Sequence, residues 1–505
     1  MDTGRVRTIW VLGDQLNRRV GPLAQATPGE DRVLLIEATD KIRSKRWHRQ
    51  RLHMILAAMR HFAAELEAEG FDVDYRHANT MATGLAEHVA EHAPDEVVAM
   101  SPLNYDGRQL LERLDVTIVA NDQFLCSPDA FARWADEHLA SHKRLTMEDF
   151  YRWQRRRFGI LIEDDKPTGG AWNFDKDNRE PPPKDGRAWP EVRRFEHSPI
   201  DEAVIAEIEQ YDVWGEPPSG WWPTTRADAL LRLGDFVERA LPTFGTHQDA
   251  MLDSEWSMSH SLISSALNIG LLLPGEVTDA AVDAYRDSHA PINSVEGFVR
   301  QVIGWREYVL GVYWLWMPEY RDENGLDAVQ PLPPMFDGTA STDMACVSGV
   351  LGNLDAHGWN HHIERLMVIG NLFLTAGVDP AAAVDWMWRS YVDGAEWVML
   401  PNLIGMALHA DGGRMATKPY AAGGAYINRM SNYCKGCRFD PKKRTGEDAC
   451  PFSTLYWDFL ARNEHALRSN HRLGRQLGGM RKLADLDGVR ERGAEVIVAL
   501  GAGRL

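Results

Sequence analysis

A chain of 505 residues is too long for one hydrophobic core, since cores stop growing near ~250–300 residues, so at least two domains are expected. Its 44% hydrophobic and 25% charged residues are ordinary for a globular protein, and no apolar run is long enough to span a bilayer. The formal charge of −18, from 55 Lys+Arg against 73 Asp+Glu, excludes a uniformly basic nucleic-acid binder and leaves phosphate contacts to local basic islands.

Met1–Asn17 lacks the positive-then-apolar order of a signal peptide, so a cytoplasmic protein without a membrane partner is expected. Thr8–Leu12 (TIWVL) and Arg32–Ile36 (RVLLI) read as buried parallel strands, followed by an amphipathic helix over Arg51–Glu69. Phe71–Tyr75, Glu96–Met100 and Val116–Val119 repeat the strand signal, which predicts a doubly wound α/β unit over 1–132. Ligands of such sheets sit beyond the carboxyl ends of the strands, so Asp14, directly after the first strand, is a ligand candidate; a polar turn fits the same pattern. Residues 133–225 mix helical and Pro/Gly-rich character and read as a linker over both domains. From 226 to 505 helical periodicity dominates, so the second domain is expected to be all-α.

Basic islands lie at Lys45–Arg51, Arg152–Arg157 and Lys435–Arg444; each reads equally as a solvated helix face. The eighteen tryptophans point to stacking or redox work, or to a large core. Of five cysteines, Cys434 and Cys437 form a C-x2-C pair and Cys450, followed by Pro451, comes after twelve intervening residues. That grouping predicts a metal site whose fourth ligand is Cys346 or Cys126, and spacing leaves Zn(Cys)4 and an iron–sulfur cluster equally open.

Several segments together carry a resemblance: Trp10–Leu16 (WVLGDQL), Trp172–Arg179 (WNFDKDNR), Gln248–Met251 (QDAM), His260–Ser264 (HSLIS) and Gly304–Tyr308 (GWREY). His361–Met367 (HHIERLM), Glu396–Asn402 (EWVMLPN), Thr417–Tyr420 (TKPY) and Tyr426–Ser431 (YINRMS) continue it to the cysteines. Over nearly its whole length the chain resembles the iron–sulfur bacterial cryptochromes and photolyases, whose repair members are prokaryotic (6-4) photolyases. The resemblance implies the photolyase/cryptochrome fold, a [4Fe–4S] cluster on Cys346, Cys434, Cys437 and Cys450, FAD in the helical domain, and a 6,7-dimethyl-8-ribityllumazine antenna near Asp14 and Glu37.

The same resemblance assigns residue roles. His361 and His362 cannot share one helix face, so one is expected to face the lesion as proton donor, His362, with His361 supporting it. Ser261 and Ser264 fall where the family holds the FAD phosphates, and helix capping would use the same geometry. Arg365 and Asp393 are expected to pair beside the flavin, with Asn402 and Glu307 as further contacts, and Tyr420 to line the lesion pocket. Trp386 matches a tryptophan that passes electrons to the flavin. Gly338 stands where relatives carry a second relay tryptophan, Met387 where they have tyrosine, and Met399 where an acidic residue is expected near the flavin N5. Trp388 or Trp397 would then offer a detour, and Ser44 stands where an antenna-contacting aromatic is expected.

The implied function is light-driven reversal of pyrimidine–pyrimidone (6-4) photoproducts by a monomer acting on UV-damaged DNA. The altered relay positions motivate the alternative of a blue-light photoreceptor without repair, and a zinc-stabilised nucleic-acid binder is a third reading.

Overall fold

The computed structural model describes residues 7–505; residues 1–6 of the expected first unit lie outside them. Five parallel strands, β1 (Arg7–Trp10), β2 (Asp31–Ala38), β3 (Asp72–Ala78), β4 (Glu96–Met100) and β5 (Thr117–Val119), form one sheet in the order β3-β2-β1-β4-β5. The alternation along β2 shows how it is covered. Val33 and Leu35 pack with Met54, Ala58 and Phe62 of helix α1 (Arg49–Ala68), whereas Leu34 and Ile36 pack on the other face with Leu85 and Leu111. Those two residues belong to α2 (Met81–His92) and α3 (Tyr105–Arg113), so helices cover both faces and the unit is doubly wound. β3 runs three residues past the expected strand. It pairs with β2 as far as Ala38↔Ala78, and its polar Asp74, Arg76 and His77 lie at a sheet edge, where the apolar signal is weak.

The segment after the sheet is built into both halves. Helices α4 (Pro128–Leu139) and α5 (Met147–Phe158) pack on the helical half, and α6 (Pro199–Ile208) packs on α1. Buried Asp201 fastens α6 in place: its carboxylate meets Thr224 at 3.0 Å and His53 and His61 at 3.1 Å each. Beyond Arg226 the described residues contain helices and loops and no strand. Among the described residues no helix is long and apolar enough to cross a membrane.

The strand order reverses between β1 and β4, where an open sheet places its ligand crevice. Here the loop after β1 is sewn to the helical half: the Leu16 N–H donates to Ile269 O at 2.9 Å and the Asn17 amide to Gly270 O at 2.7 Å. Asp14 therefore faces an interdomain junction. Burial raises its carboxyl to about 6, against the opposing pull of Arg51.

Candidate functional site

The helical half encloses a cavity of about 500 Å³. Three of its walls come from π-helical turns, Arg300–Arg306, Glu364–Gly370 and Asn402–Ala407, which supply Arg306, Arg365 and Asn402 among others. An extra residue per turn swings side chains out of the i, i+4 rows, and such turns recur at functional sites. Periodicity alone does not reveal them, because the apolar face continues through each bulge.

Arg365 and Asp393 form a bidentate pair at 2.9 and 3.1 Å on the cavity wall. The Ser264 hydroxyl donates to the same carboxylate at 2.6 Å, and the Asn268 amide donates to the Asp393 carbonyl at 2.8 Å. Arg365 also donates through Nε to Asn360 O at 2.7 Å and lies 4.0 Å from the Tyr391 ring centroid, so its plane is fixed on every side. Ser261 and Ser264 line the cavity at the start of the short helix Ser264–Asn268.

His362 lines the cavity with its side chain 44% exposed and its Nε2 3.3 Å from Asp249 Oδ1, whereas His361 is fully buried beneath it. His361 stacks on His260 at 4.7 Å and 10°, and neither of its ring nitrogens has a hydrogen-bond partner. Burial drives both His260 and His361 well below the ordinary histidine range, so the pair is neutral at pH 7. A histidine with a depressed folded pKa contributes stability above its unfolded pKa near 6.5 and loses it as the pH falls. Wild-type protein is therefore expected to lose stability from pH 7 to 5 more steeply than His361→Phe. Comparing the two melting curves cancels buried Glu364 and Glu307, whose carboxyls burial raises to about 7 and which oppose the trend. Equal slopes would remove the neutral stack from the account.

Tyr420 lines the same cavity as Asp175 and Arg179. Several buried polar groups there lack a protein partner: the Gln248 side-chain carbonyl, Arg306 Nε and Nη1, and the Trp397 indole N–H. Buried polar atoms rarely stay unmatched, so these donors and this acceptor suit a large polar ligand with an aromatic portion.

A second site lies at the far end of this half. Cys346, Cys434, Cys437 and Cys450 line one small pocket with Met344, Ile427 and Phe439. Cys450 caps helix Pro451–Arg462 and Cys346 sits in the first turn of helix Ala345–His357, where helix dipoles favour thiolate. Burial and mutual repulsion raise Cys346 and Cys434, the latter to about 12, and burial raises Cys450, so a bound metal is what would hold these three ionised. An added Cβ at Gly424 would come within 2.7 Å of the Cys450 sulfur, so glycine there keeps the pocket open. Among the described residues no three cysteine sulfurs lie within 4.8 Å of one another. Four thiolates accept either a structural zinc or an iron–sulfur cluster. Cys126 is apart from this site, its thiol pushed up to about 12 by burial beside Glu307.

A (6-4) photolyase from Agrobacterium fabrum is 41% identical over 484 residues, spanning 92% of this chain and 93% of the relative. The chain belongs to the iron–sulfur bacterial cryptochrome and photolyase family. A family profile described as deoxyribodipyrimidine photo-lyase-related protein matches residues 9–222. The fold matches a bacterial class III photolyase from Agrobacterium tumefaciens (TM-score 0.56, 16% identity, 99% of each chain). It also matches a Synechocystis cryptochrome (TM-score 0.55, 11% identity, 85% of this chain and 89% of that one).

Photolyases and cryptochromes carry FAD, and the unmatched polar groups of the cavity fit it. Other family expectations need correction. Glu307 lies outside the cavity, its carboxylate accepting the backbone N–H groups of Cys126 at 2.8 Å and Leu125 at 3.2 Å, so it joins the two halves of the fold. Asp14 and Glu37 make different protein contacts, which leaves both as antenna candidates. Glu37 is taken up by Arg60 at 2.7 and 2.9 Å and by the Tyr75 hydroxyl, while Asp14 faces Arg51. Arg51 and Arg60 stand nine residues apart on α1, about 13–14 Å along its axis at 1.5 Å per residue. Ser44 is exposed at a helix end, its hydroxyl donating to Lys41 O at 2.7 Å.

Trp386 is fully buried and is not part of the cavity wall; its N–H donates to Phe336 O at 2.7 Å and its aromatic neighbours are Phe336, Phe373 and Tyr391. Gly338, at φ 71°, ends the turn Pro334–Asp337 in a left-handed conformation that disfavours a tryptophan. Met387 and Met399 do reach the cavity, as does Trp397. Trp388 instead meets Trp47 edge-on at 6.3 Å, with the Lys45 ammonium 4.6 Å from its ring centroid.

Proposed function

We propose that this chain is a (6-4) photolyase acting on UV-damaged DNA as a cytoplasmic monomer, with FAD in the cavity of the helical half. The observation that carries this reading is one continuous cavity. Its walls hold Arg365–Asp393 and the unmatched Arg306, Gln248 and Trp397 groups together with exposed His362, its partner Asp249, and Tyr420. Flavin, when bound, would supply a light-driven electron to the two linked pyrimidines of the lesion. The chain does the rest. Arg365 and Asp393 hold the ring side of the cofactor, and Ser261 and Ser264 serve its phosphate side. Asn402 adds an amide, oriented by its 2.8 Å bond to Val398 O. Tyr420 and the apolar wall replace the stacking that a flipped-out nucleotide loses. His362 holds the proton that the lesion takes up, with Asp249 orienting the ring and the neutral His260–His361 stack fixing the backbone below.

On the cysteines we place a [4Fe–4S] cluster that ties helix Ala345–His357 to the C-terminal helix Pro451–Arg462. Cys450→Ala is expected to lower bound iron and acid-labile sulfide from about four each per chain and to expose the 434–450 loop to protease. One zinc per chain and no sulfide would refute it. For the antenna we propose the lumazine near Asp14 and Glu37; extraction and chromatography of the bound chromophores decides its identity.

The deciding assay gives chemically reduced enzyme a (6-4)-containing oligonucleotide under blue light. Restored thymines support the photolyase. A flavin-loaded protein that leaves the lesion intact would favour the photoreceptor, the reading that the altered positions Gly338, Met387 and Met399 motivate.

A further inference from the structure

Trp386 lies off the cavity wall with Phe336, Phe373 and Tyr391 around it, and a separate file of tryptophans leaves the cavity. Trp359 lines the cavity, 5% exposed, and follows helix Ala345–His357. Its ring centroid is 5.7 Å from that of Trp256, at 81°, and Trp256 is 5.4 Å from Trp221, at 66°. Trp359 and Trp256 come from separate loops, and Trp221 from the segment before Arg226, so the tertiary fold alone assembles the file. At these centroid distances ring edges are nearly in contact, and electron transfer is fastest where edges touch. Trp256 and Trp221 are half-buried, so the file runs from the interior to the surface.

We propose that Trp359, Trp256 and Trp221 are the electron relay that reduces the flavin in light. The inference rests on the cavity binding flavin, as proposed above. Each transfer moves one electron and breaks no bond: Trp359 gives an electron to the photoexcited cofactor, Trp256 refills Trp359, and Trp221 refills Trp256. The indole radical cation left on Trp221 releases its N–H proton to water, and an external thiol returns one electron and one proton, ending as disulfide after two such rounds. Trp221 is the terminus in preference to its neighbour Trp222, whose N–H is committed to His357 O at 2.8 Å and whose ring is buried.

The surroundings favour outward flow. His357 stacks on Trp256 at 4.0 Å and 11°, and burial lowers it to about 4, so at pH 7 it adds no positive charge beside a radical cation there. The Arg194 guanidinium lies 4.1 Å from the Trp221 ring centroid, where its charge promotes loss of the indole proton and traps the hole as a neutral radical. Arg365 lies 5.7 Å from the Trp359 ring centroid, but its charge is matched by Asp393.

The test is blue-light photoreduction of flavin-loaded protein with dithiothreitol as the thiol, followed by absorption, together with electron paramagnetic resonance of the trapped radical in ring-deuterated-tryptophan protein. Trp256→Phe is expected to slow photoreduction at least tenfold and to abolish the Trp221 radical, while Trp386→Phe stays within twofold of wild type. Trp221→Phe, at the surface, should also remove the radical and serves if Trp256→Phe folds poorly. Wild-type kinetics and radical yield in Trp256→Phe and Trp221→Phe, with loss in Trp386→Phe, would overturn the relay. Chemically reduced Trp256→Phe should repair at the wild-type rate. If reduced wild-type protein repairs nothing, the repair reading fails, while the radical measurement still judges the relay.

Discussion

Asp393→Ala is expected to yield protein that loses its flavin on gel filtration, whereas wild type retains about one per chain. Three donors converge on this carboxylate: Arg365 Nη1 at 2.9 Å, Arg365 Nη2 at 3.1 Å and the Ser264 hydroxyl at 2.6 Å. Removing it leaves a largely buried guanidinium without a counter-charge, a change that costs about 3–5 kcal/mol for a fully buried pair. Arg365 keeps 18% side-chain exposure, so the lower end of that range applies. The damage is local, because Arg365 remains bonded to Asn360 O and stacked on Tyr391 while its planar head turns toward the cavity. A tenfold or greater loss of flavin affinity with the cysteine site still loaded is the expected pattern. Arg365→Met with Asp393→Leu removes both charges and should regain stability without flavin, since the cost lies in the unpaired ion. Full flavin retention by Asp393→Ala would take the ion pair out of the binding site.

The sequence was informative where one physical rule governs a segment. Continuous apolar runs marked the buried parallel strands β1, β2 and β4, because helices cover both faces of the sheet. β3 was only partly visible, since an edge strand carries Asp74, Arg76 and His77 into its own polar network. The cysteine spacing pointed to a metal, and only the fold shows that Cys346, not Cys126, joins the other three. Matched segments placed Ser264, Arg365 and His362 on one cavity, and Asp393, three residues before the segment Glu396–Asn402, joins them. They misplaced Glu307, which follows Arg306 directly: Arg306 turns to the cavity and Glu307 to the Leu125–Cys126 backbone, a division set by the π-helical turn that ends between them. The tryptophan file was beyond reach for a different reason. Trp221, Trp256 and Trp359 are more than thirty residues apart in pairs, and no local period joins them.

These features divide the labour within the helical half. The cavity holds two positions that stay fixed, the Arg365–Asp393 pair and the neutral His260–His361 stack, and between them His362 alone combines solvent access with an acidic partner. A group that delivers a proton to a flipped base must reach it, so it cannot be fully buried, and must be aimed, so it cannot be free. At 44% exposure with Asp249 at 3.3 Å, His362 meets both demands; His361, fully buried with both nitrogens unmatched, meets neither.

His362→Ala is accordingly expected to lower the single-turnover rate of (6-4) repair by about 10²–10⁴-fold, the range for a lost general acid, or ~3–5 kcal/mol of transition-state stabilisation. The measurement uses chemically reduced enzyme, saturating light and a defined lesion oligonucleotide, so neither photoreduction nor antenna transfer enters. Flavin content, iron content and oligonucleotide affinity should match wild type, because His362 touches the cavity mouth and not the Arg365 pair or the cysteines. Asp249→Asn keeps a hydrogen-bonding partner but removes its charge, and should cost about tenfold through misorientation of the ring. The solvent isotope effect on repair should be present in wild type and vanish in His362→Ala, where proton delivery no longer comes from a positioned side chain. If His362→Ala repairs within a few fold of wild type while His361→Phe is inactive, the roles of the two histidines are exchanged and the proton comes from the buried stack.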